Sequence, residues 1–144
     1  MNDALPPELI DGATLRDSEY AWELSAFPLA LRRAPGFAYA CLGGQFWFLL
    51  PDNSLYEPFW LEANASDRAE GEPWFEYARR SCEEVLAKFN ALSNATDFDQ
   101  EARKFRSLES SFRLMFNAYF VTERQFSALG LENLKLSTDK RRQR

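Results

Sequence analysis

The sequence predicts an α+β domain in which a small antiparallel sheet packs against helices. Residues 37–61 contain two apolar runs separated by a Pro-Asp-Asn-Ser turn, which is typical of a β-hairpin. Residues 73–93 and 97–128 carry apolar side chains at three- and four-residue steps, the period of a buried helix face. A shorter helix is predicted over 26–34, where a proline-glycine pair follows an apolar stripe.

The first strand of the predicted hairpin has large apolar side chains on both faces. Trp47 points to one face and Phe46 and Phe48 point to the other, because side chains alternate along a strand. Both faces are then expected to be covered, by helices of the chain or by a partner. The adjacent Gly43 and Gly44 predict a bulge or a close approach of another backbone.

Further strands are needed, because an isolated hairpin is only marginally stable. Residues 19–24 are the candidate third strand, and a helical turn is the alternative for this segment. A homodimer that pairs edge strands is the other way to complete the sheet. Residues 1–17 are polar and are interpreted as a loosely held lead-in.

The helix predicted over 73–93 has Pro73 at its first position, where proline is favoured. Acidic and basic residues four apart on its polar face predict two ion pairs, with the acid preceding the base in each. These pairs are Glu76 with Arg80 and Glu84 with Lys88.

The apolar pattern over 97–128 is unusually long for one helix. A break near Ser110-Ser111 or within 120–122 is therefore the alternative to a continuous helix. Gly130 is expected to end this part of the chain, because glycine adopts the left-handed conformation of a helix terminus. One domain is predicted over 1–130, followed by a flexible tail over 131–144 that is basic at its end.

Net charge limits the expected partners. The 144 residues include 17 basic and 22 acidic side chains, for a formal charge of −5. An acidic protein repels nucleic acid and anionic membrane surfaces, so neither is an expected partner. The first residues do not form a signal-peptide pattern, and the sequence predicts a cytoplasmic protein without a membrane span. Cys41 and Cys82 are accordingly expected to stay reduced.

The absence of histidine removes several common catalytic designs. Serine or cysteine nucleophiles that depend on histidine cannot be built, and two cysteines cannot complete a closed zinc site. The glycine-rich signature of a phosphate-binding loop is also missing. We therefore expect a chain that is not an enzyme and that uses no metal or other cofactor. Carboxylate acid–base chemistry is the alternative, and it requires a carboxyl buried enough to raise its pKa.

The segment Cys41–Phe48, which follows a short helix and begins a hairpin, resembles bacterial immunity proteins of polymorphic-toxin and contact-dependent growth inhibition systems. Gly71–Ser81 also has the character of a family signature, and the resemblance covers about residues 20–92. Such proteins bind a cognate toxin domain in the cytoplasm and block it without catalysis of their own. The resemblance implies the same function here, with a basic toxin domain as the partner.

Under this hypothesis, the contact surface includes the acidic stretch after the hairpin and the aromatic side chains beside it. Acidic charge would speed the encounter with a basic toxin, and aromatic anchors carry most interface energy. For each aromatic candidate, a place in the core is the alternative. The candidate partner-binding residues are Tyr56, Glu57, Trp60, Glu62, Asp67, Glu70, Glu72 and Trp74.

Two other classes of function compete with this hypothesis. An adaptor or regulatory subunit of a larger assembly would self-associate when isolated, because apolar surface would be left uncovered. An enzyme or small-ligand binder that uses carboxylates and aromatics would have a concave, mostly apolar pocket with a few converging polar groups.

Overall fold

The structure, a computed structural model, describes residues 4–105 and 112–130. Six strands and three helices follow one another along the chain, with a 3-10 turn at Ala34–Phe37 and a last helix, α4, over 123–130. In chain order the bounds are β1 Ala13–Arg16, β2 Glu19–Glu23, α1 Phe27–Arg33, β3 Ala40–Leu49, β4 Leu55–Tyr56, β5 Glu62–Asn64, α2 Trp74–Ala95, α3 Phe98–Phe105 and β6 Arg113–Val121.

All six strands form one antiparallel sheet, which confirms the predicted α+β class. The strand order is β1-β2-β6-β3-β4, and β5 pairs with the same side of β3 as β4 does. β6, the last strand in the described part of the chain, therefore lies at the centre, between β2 and β3. The chain itself supplies these six strands. For residues 19–24 the strand alternative is observed and not the helical turn, because Glu19–Glu23 forms β2.

Helices α1 and α2 cover one face of the sheet and enclose an aromatic core. Phe27 of α1 lies 4.6 Å from Phe116 of β6, measured between ring centroids. Phe89 of α2 stacks on Phe46 of β3 at 5.5 Å. Offset and edge-on ring pairs of this kind add to the energy of burial. Most of the phenylalanine-rich composition is thus explained by the core.

The helix predicted over 97–128 is wrong. Within this range, Phe98–Phe105 is helical as α3 and residues 123–128 are helical as part of α4, but residues 106–111 lie outside the description and Arg113–Val121 forms β6. Phe116, Ala118 and Phe120 face the helices, while the residues between them face the opposite side of the sheet. Apolar side chains on both faces of a buried strand also recur at three and four residues, and this accounts for the helical pattern.

The amino-terminal segment is more ordered than its polar sequence predicts. Within the expected lead-in of residues 1–17, Ala13–Arg16 forms β1 and pairs with β2. Leu9 is fully buried, and its carbonyl accepts a hydrogen bond of 2.6 Å from the indole N–H of Trp22. This contact holds the start of the described chain against the core.

The predicted hairpin over 37–61 is correct for its first strand and partly wrong for its second. Instead of one strand over 55–61, two short strands, β4 and β5, flank a turn at 58–61. Pro58 cannot donate a ladder hydrogen bond, which accounts for the interruption.

Both expectations for the paired glycines are confirmed. The register between β3 and β6 shifts between Cys41 and Gly43, which is a bulge. Gly43 has a φ of 124°, a conformation that other residues rarely adopt. At Gly44, a Cβ atom would lie 1.7 Å from the carbonyl oxygen of Asn117, so only glycine permits this pairing of β3 with β6.

The sheet is curled, and its face opposite α1 and α2 carries both apolar and polar side chains. A small apolar cluster centres on Ala21, Trp47 and Met115. Beside it, Arg16 donates hydrogen bonds to the side chain and backbone carbonyl of Asn53, which joins β1 to the turn after β3. No helix in the described part of the chain is both long and apolar enough to cross a bilayer. The predicted tail over 131–144 lies outside the described residues.

Candidate functional site

The chain between β4 and β5 forms a turn at the outer edge of the sheet. The backbone N–H of Leu61 donates to the carbonyl of Pro58, and the N–H of Phe46 donates to the carbonyl of Leu61. This turn buries Pro58 and Leu61 and leaves the residues between them outside. Phe59 is 67% exposed and Trp60 is 47% exposed.

The two exposed aromatic side chains are held in place rather than loose. Their rings meet edge to face, with centroids 5.2 Å apart. The indole N–H of Trp60 donates a hydrogen bond of 3.1 Å to the carboxylate of Glu101 on α3. Fixed aromatic side chains lose little conformational entropy when a partner covers them, which favours a role in binding.

Glu57 and Glu62 flank this aromatic pair, and both are exposed. The side-chain amide of Gln45 donates to Glu57 at 2.7 Å, and Gln45 is paired in register with Glu62. Within 4–105 and 112–130, no ion pair joins either carboxylate to a basic side chain. We call the surface formed by Glu57, Phe59, Trp60 and Glu62 the edge surface.

Tyr56 lies beside the edge surface but faces inward. Its ring is half-buried and packs on Phe48 with centroids 5.5 Å apart. Burial, reinforced by the negative charge of Glu101, raises the pKa of the Tyr56 hydroxyl. Tyr56 therefore supports β4 against the core.

The loop before α2 brings the other acidic candidates to a different place. Asp67 and Glu70 are exposed, whereas Glu72 is bound to Arg80. The Nε and Nη2 atoms of Arg80 each donate a hydrogen bond of 2.8 Å to Glu72, one to each carboxylate oxygen. Such a two-bond arrangement is the strongest geometry for this pair of residues.

Arg80 is the centre of a larger network. Its Nη1 atom donates to Glu84 at 2.6 Å and to the hydroxyl of Ser66 at 2.7 Å, and its Nη2 atom also donates to the carbonyl of Asp67. The hydrogen bonds from Arg80 lower the pKa of Glu72 to about 2. Of the two ion pairs predicted on α2, neither is present: Arg80 binds Glu84 and Glu72, and the ammonium group of Lys88 donates to the carbonyl of Asn64.

Trp74 lies in the core, which is the alternative that the sequence left open. It is 7% exposed, and its indole N–H donates a hydrogen bond of 2.8 Å to the carbonyl of Ala38. The guanidinium of Arg68 lies 5.1 Å from the ring centroid and covers its outer side. Arg68 also pairs with Glu123 of α4.

The two thiols are buried and free. Burial raises the pKa of Cys82 to about 12 and holds the pKa of Cys41 well above its ordinary value. Protonated thiols are weak nucleophiles and weak metal ligands. Among the described residues, no three cysteine or acidic side chains form a group that could hold a metal ion.

Sequence reasoning missed a polar contact on the sheet face opposite α1 and α2. Glu19 of β2 and Tyr119 of β6 are far apart in the chain, and the Tyr119 hydroxyl donates a hydrogen bond to the Glu19 carboxylate. Burial and the neighbouring carboxylate keep the pKa of Tyr119 above its ordinary value. Interpreting 113–121 as a strand would have revealed the outward alternation of Met115, Asn117 and Tyr119.

Comparisons with known proteins do not assign this site. No protein-family model matches the chain, and neither a curated protein nor a solved structure matches it significantly.

Proposed function

We propose that this chain is a non-catalytic protein-binding module, of the kind that binds and neutralises a cognate bacterial toxin domain in the cytoplasm. The observation that supports the proposal most directly is the edge surface. It places two exposed, fixed aromatic side chains between two carboxylates that have no basic partner among the described residues.

Aromatic side chains dominate the binding energy of protein interfaces, especially where surrounding contacts exclude water. Phe59 and Trp60 bring large apolar area to one point on the surface. In water this exposure is unfavourable, so contact with a partner is a physical reason for it. The hydrogen bond between Trp60 and Glu101 keeps the pair in one arrangement before any partner arrives.

Charge supports a basic partner. Glu57 and Glu62 lie exposed beside the aromatic pair with no ion pair among the described residues, in a chain whose formal charge is −5. Complementary charge increases the rate of encounter and discriminates against acidic proteins. A basic toxin domain fits both the edge surface and the resemblance at Cys41–Phe48.

The first experiment identifies the partner by affinity purification of the tagged chain from its native host, followed by mass spectrometry. The Phe59→Ala and Trp60→Ala variants are then compared with Phe75→Ala. Phe75 is the matched control because it is also 67% exposed but lies on α2, away from the edge surface. We expect a stoichiometric basic protein that is lost with the first two variants and retained with the third.

Charge reversal provides the second arm of this test. The double variant Glu57→Lys/Glu62→Lys is expected to slow association about tenfold or more and to weaken its dependence on salt. Asp67→Lys/Glu70→Lys makes the same change of charge on the loop before α2. Equal losses for both double variants would contradict the edge surface as the binding site, and unimpaired binding by both would contradict a role for the acidic stretch.

A small-ligand binder is the second candidate function. A cleft beside Glu19 and Tyr119 has the concave form that this class requires. For the adaptor alternative, the discriminating measurement is the sedimentation behaviour of the isolated chain, because an uncovered assembly surface would cause self-association.

A further inference from the structure

The edge surface is too small to be a whole interface. A standard protein–protein interface buries roughly 800 Å² on each partner and involves about 20–30 residues of each. The edge surface consists only of Glu57, Phe59, Trp60 and Glu62. A partner that covers it must also cover neighbouring surface, either toward the helices or across the sheet face opposite α1 and α2. The charges on the two sides distinguish between these directions.

Toward the helices, lysines border the edge surface. The ammonium group of Lys88 on α2 donates a hydrogen bond to the carbonyl of Asn64 in β5. Lys104 on α3 pairs with Glu101, the residue that accepts the hydrogen bond from Trp60. A basic partner on this side would meet like charges beside the aromatic pair, which is repulsive.

Across the sheet face opposite α1 and α2, the edge surface continues into an acidic region. Gln45 lies on this face, donates a hydrogen bond to Glu57 and pairs in register with Glu62, so both carboxylates lie on the same face. Tyr119 of β6 also lies there and is 44% exposed, and its hydroxyl donates to the carboxylate of Glu19 on β2. An exposed aromatic ring and three carboxylates therefore share this face.

Gly43 leaves the ring of Tyr119 open toward the edge surface. It is the register partner of Tyr119 on β3, and because it has no side chain, β3 places none between the ring and the edge surface at that position. Burial raises the pKa of the Tyr119 hydroxyl, and the charges of Glu19 and Glu57 raise it further, as expected when both carboxylates lie near it. Because β2 and β3 flank β6 on opposite sides, the ring has a carboxylate on each side.

The arginines of this sheet face extend toward its other end. Arg16 pairs in register with Glu19, but its two terminal nitrogens donate to Asn53 in the turn after β3. Arg113 begins β6, whereas Tyr119 lies near the end of that strand. Within 4–105 and 112–130, neither arginine forms an ion pair. The carboxylates around Tyr119 are thus open to a basic partner.

We propose that the basic partner of the edge surface lies across this sheet face and places a basic side chain on the ring of Tyr119, between the carboxylates of Glu19 and Glu57. This extension rests on the proposed function, because it enlarges the edge surface and names the second side of the interface. From Glu62 on β5 to Glu19 on β2, the surface crosses three strand spacings, roughly 14 Å along the sheet. The aromatic pair of the edge surface is the outer contact, and Tyr119 is the inner one.

The test uses capped hexaarginine as a basic probe and follows the backbone amide signals of the full-length protein by NMR. Its six residues span roughly 20 Å when extended, enough to reach from β5 to β2. We expect saturable shifts at Gly43, Gln45 and Tyr119 and only smaller ones around Lys88 and Lys104. Capped hexaglutamate is the control and is expected not to bind. The absence of saturable hexaarginine binding, or shifts confined to α2 and α3, would overturn the proposal.

Substitution of Tyr119 tests the inner contact. A cation over an aromatic face is attracted to it, so Tyr119→Ala is expected to weaken hexaarginine binding about fivefold. Tyr119→Phe keeps the ring and loses only the hydrogen bond to Glu19. It is expected to bind within about twofold of the parent chain. Equal losses for the two variants would show that the ring makes no contact with the probe, which contradicts the proposal.

The double variant Lys88→Gln/Lys104→Gln examines the opposite side of the edge surface. It removes the two lysines that border the surface toward the helices and leaves the sheet face unchanged. At moderate salt, where long-range charge is screened, hexaarginine is expected to bind within about twofold of the parent chain. A gain of about fivefold or more would place the probe against the helices and would refute the extension across the sheet.

Comparison with Trp60→Ala separates this extension from the proposed function. We expect Trp60→Ala and Tyr119→Ala each to weaken hexaarginine binding. If only Trp60→Ala did so, the edge surface would remain the binding site and its extension across the sheet face would be wrong. If neither variant changed the affinity, the edge surface would not be the site for a basic chain, and the proposed function would lose its main support as well.

Discussion

Two acidic segments that lie close together in the sequence behave in opposite ways. In the loop before α2, Glu72 is bound by two nitrogens of Arg80 and stabilises the local fold. At the edge surface, Glu57 accepts a hydrogen bond from the neutral amide of Gln45 and has no ion pair within the described residues. Acidic composition therefore does not define a binding surface. What distinguishes the two segments is whether a basic side chain of the same chain already pairs with the carboxylate.

The largest expected effect in this comparison is that of Arg80→Ala. The substitution removes all the hydrogen bonds that join Arg80 to Glu72, Glu84, Ser66 and the carbonyl of Asp67. We expect the free energy of unfolding to fall by about 1–2 kcal/mol after allowance for solvent screening. Urea denaturation followed by circular dichroism provides the measurement.

Arg79→Ala is the control for this prediction, because Arg79 is the adjacent arginine on α2 and is exposed. It is expected to change stability by less than about 0.5 kcal/mol. If both variants lost the same stability, the network around Arg80 would have no special role, and the contrast between the two acidic segments would disappear.

A smaller effect with a defined pH dependence is expected for Glu72→Gln. The pKa of Glu72 is about 2 in the folded chain, below its ordinary value of 4.5. A lowered pKa contributes stability that is complete above the unfolded value and is lost as pH falls through the folded value. The free energy of unfolding of the variant should therefore be lower than that of the parent at pH 7. The two free energies should converge as the pH falls from roughly 5 to 2.

Glu70→Gln tests whether this pH dependence belongs to the bound carboxylate. Glu70 is two residues away and exposed. Its substitution is expected to leave a difference from the parent that does not vary over the same pH range. If the free energy of unfolding of both variants differed from that of the parent with the same pH dependence, the effect would belong to general repulsion among acidic side chains instead.

Trp60→Phe is expected to have a still smaller effect on stability. The substitution keeps an aromatic ring and removes the hydrogen bond to Glu101. Because the site is half exposed, we expect a loss of about 0.5–1 kcal/mol, measured by thermal denaturation. A loss above about 3 kcal/mol would indicate that Trp60 is a core residue and would remove it from the edge surface.

The smallest effect is expected for the double variant Glu57→Gln/Glu62→Gln. Neither carboxylate has an ion pair within the described residues, so stability should remain within about 0.5 kcal/mol of the parent. The measurement is urea denaturation at low and moderate salt. A marked loss at low salt would reveal that these carboxylates stabilise the fold, and the two acidic segments would then be alike.

The elements that the sequence predicts well have a pattern that depends only on near neighbours. Helix α2 extends over Trp74–Ala95, close to the predicted 73–93, because its apolar and polar faces are cleanly separated. The constraint at Gly43 and Gly44 is also predictable, since glycine within an apolar strand usually marks a bulge or a close backbone approach. The prediction fails at β6 because both of its faces carry large side chains, and such a pattern fits either periodicity.

The candidate site could be predicted only in part, because neutralisation of a carboxylate depends on residues from other elements. Glu76 and Glu84 both stand four residues from Arg80 on α2. Arg80 binds Glu84 but not Glu76, and its second carboxylate partner is Glu72, from the preceding loop. Trp74 sits among acidic residues in sequence, yet its ring points into the core. The pairing of Glu19 with Tyr119 depends on the sheet order, which no local pattern encodes.

The central position of β6 has a consequence for how the protein is made. Residues 113–121 are synthesised late, yet they separate β2 from β3 in the finished sheet. Until they leave the ribosome, the inner edges of both strands lack their hydrogen-bonding partner, and such edges promote aggregation. Sheet completion therefore requires contacts between distant parts of the chain, which slows folding. Nascent chains that stop before residue 113 should be the species most dependent on chaperones.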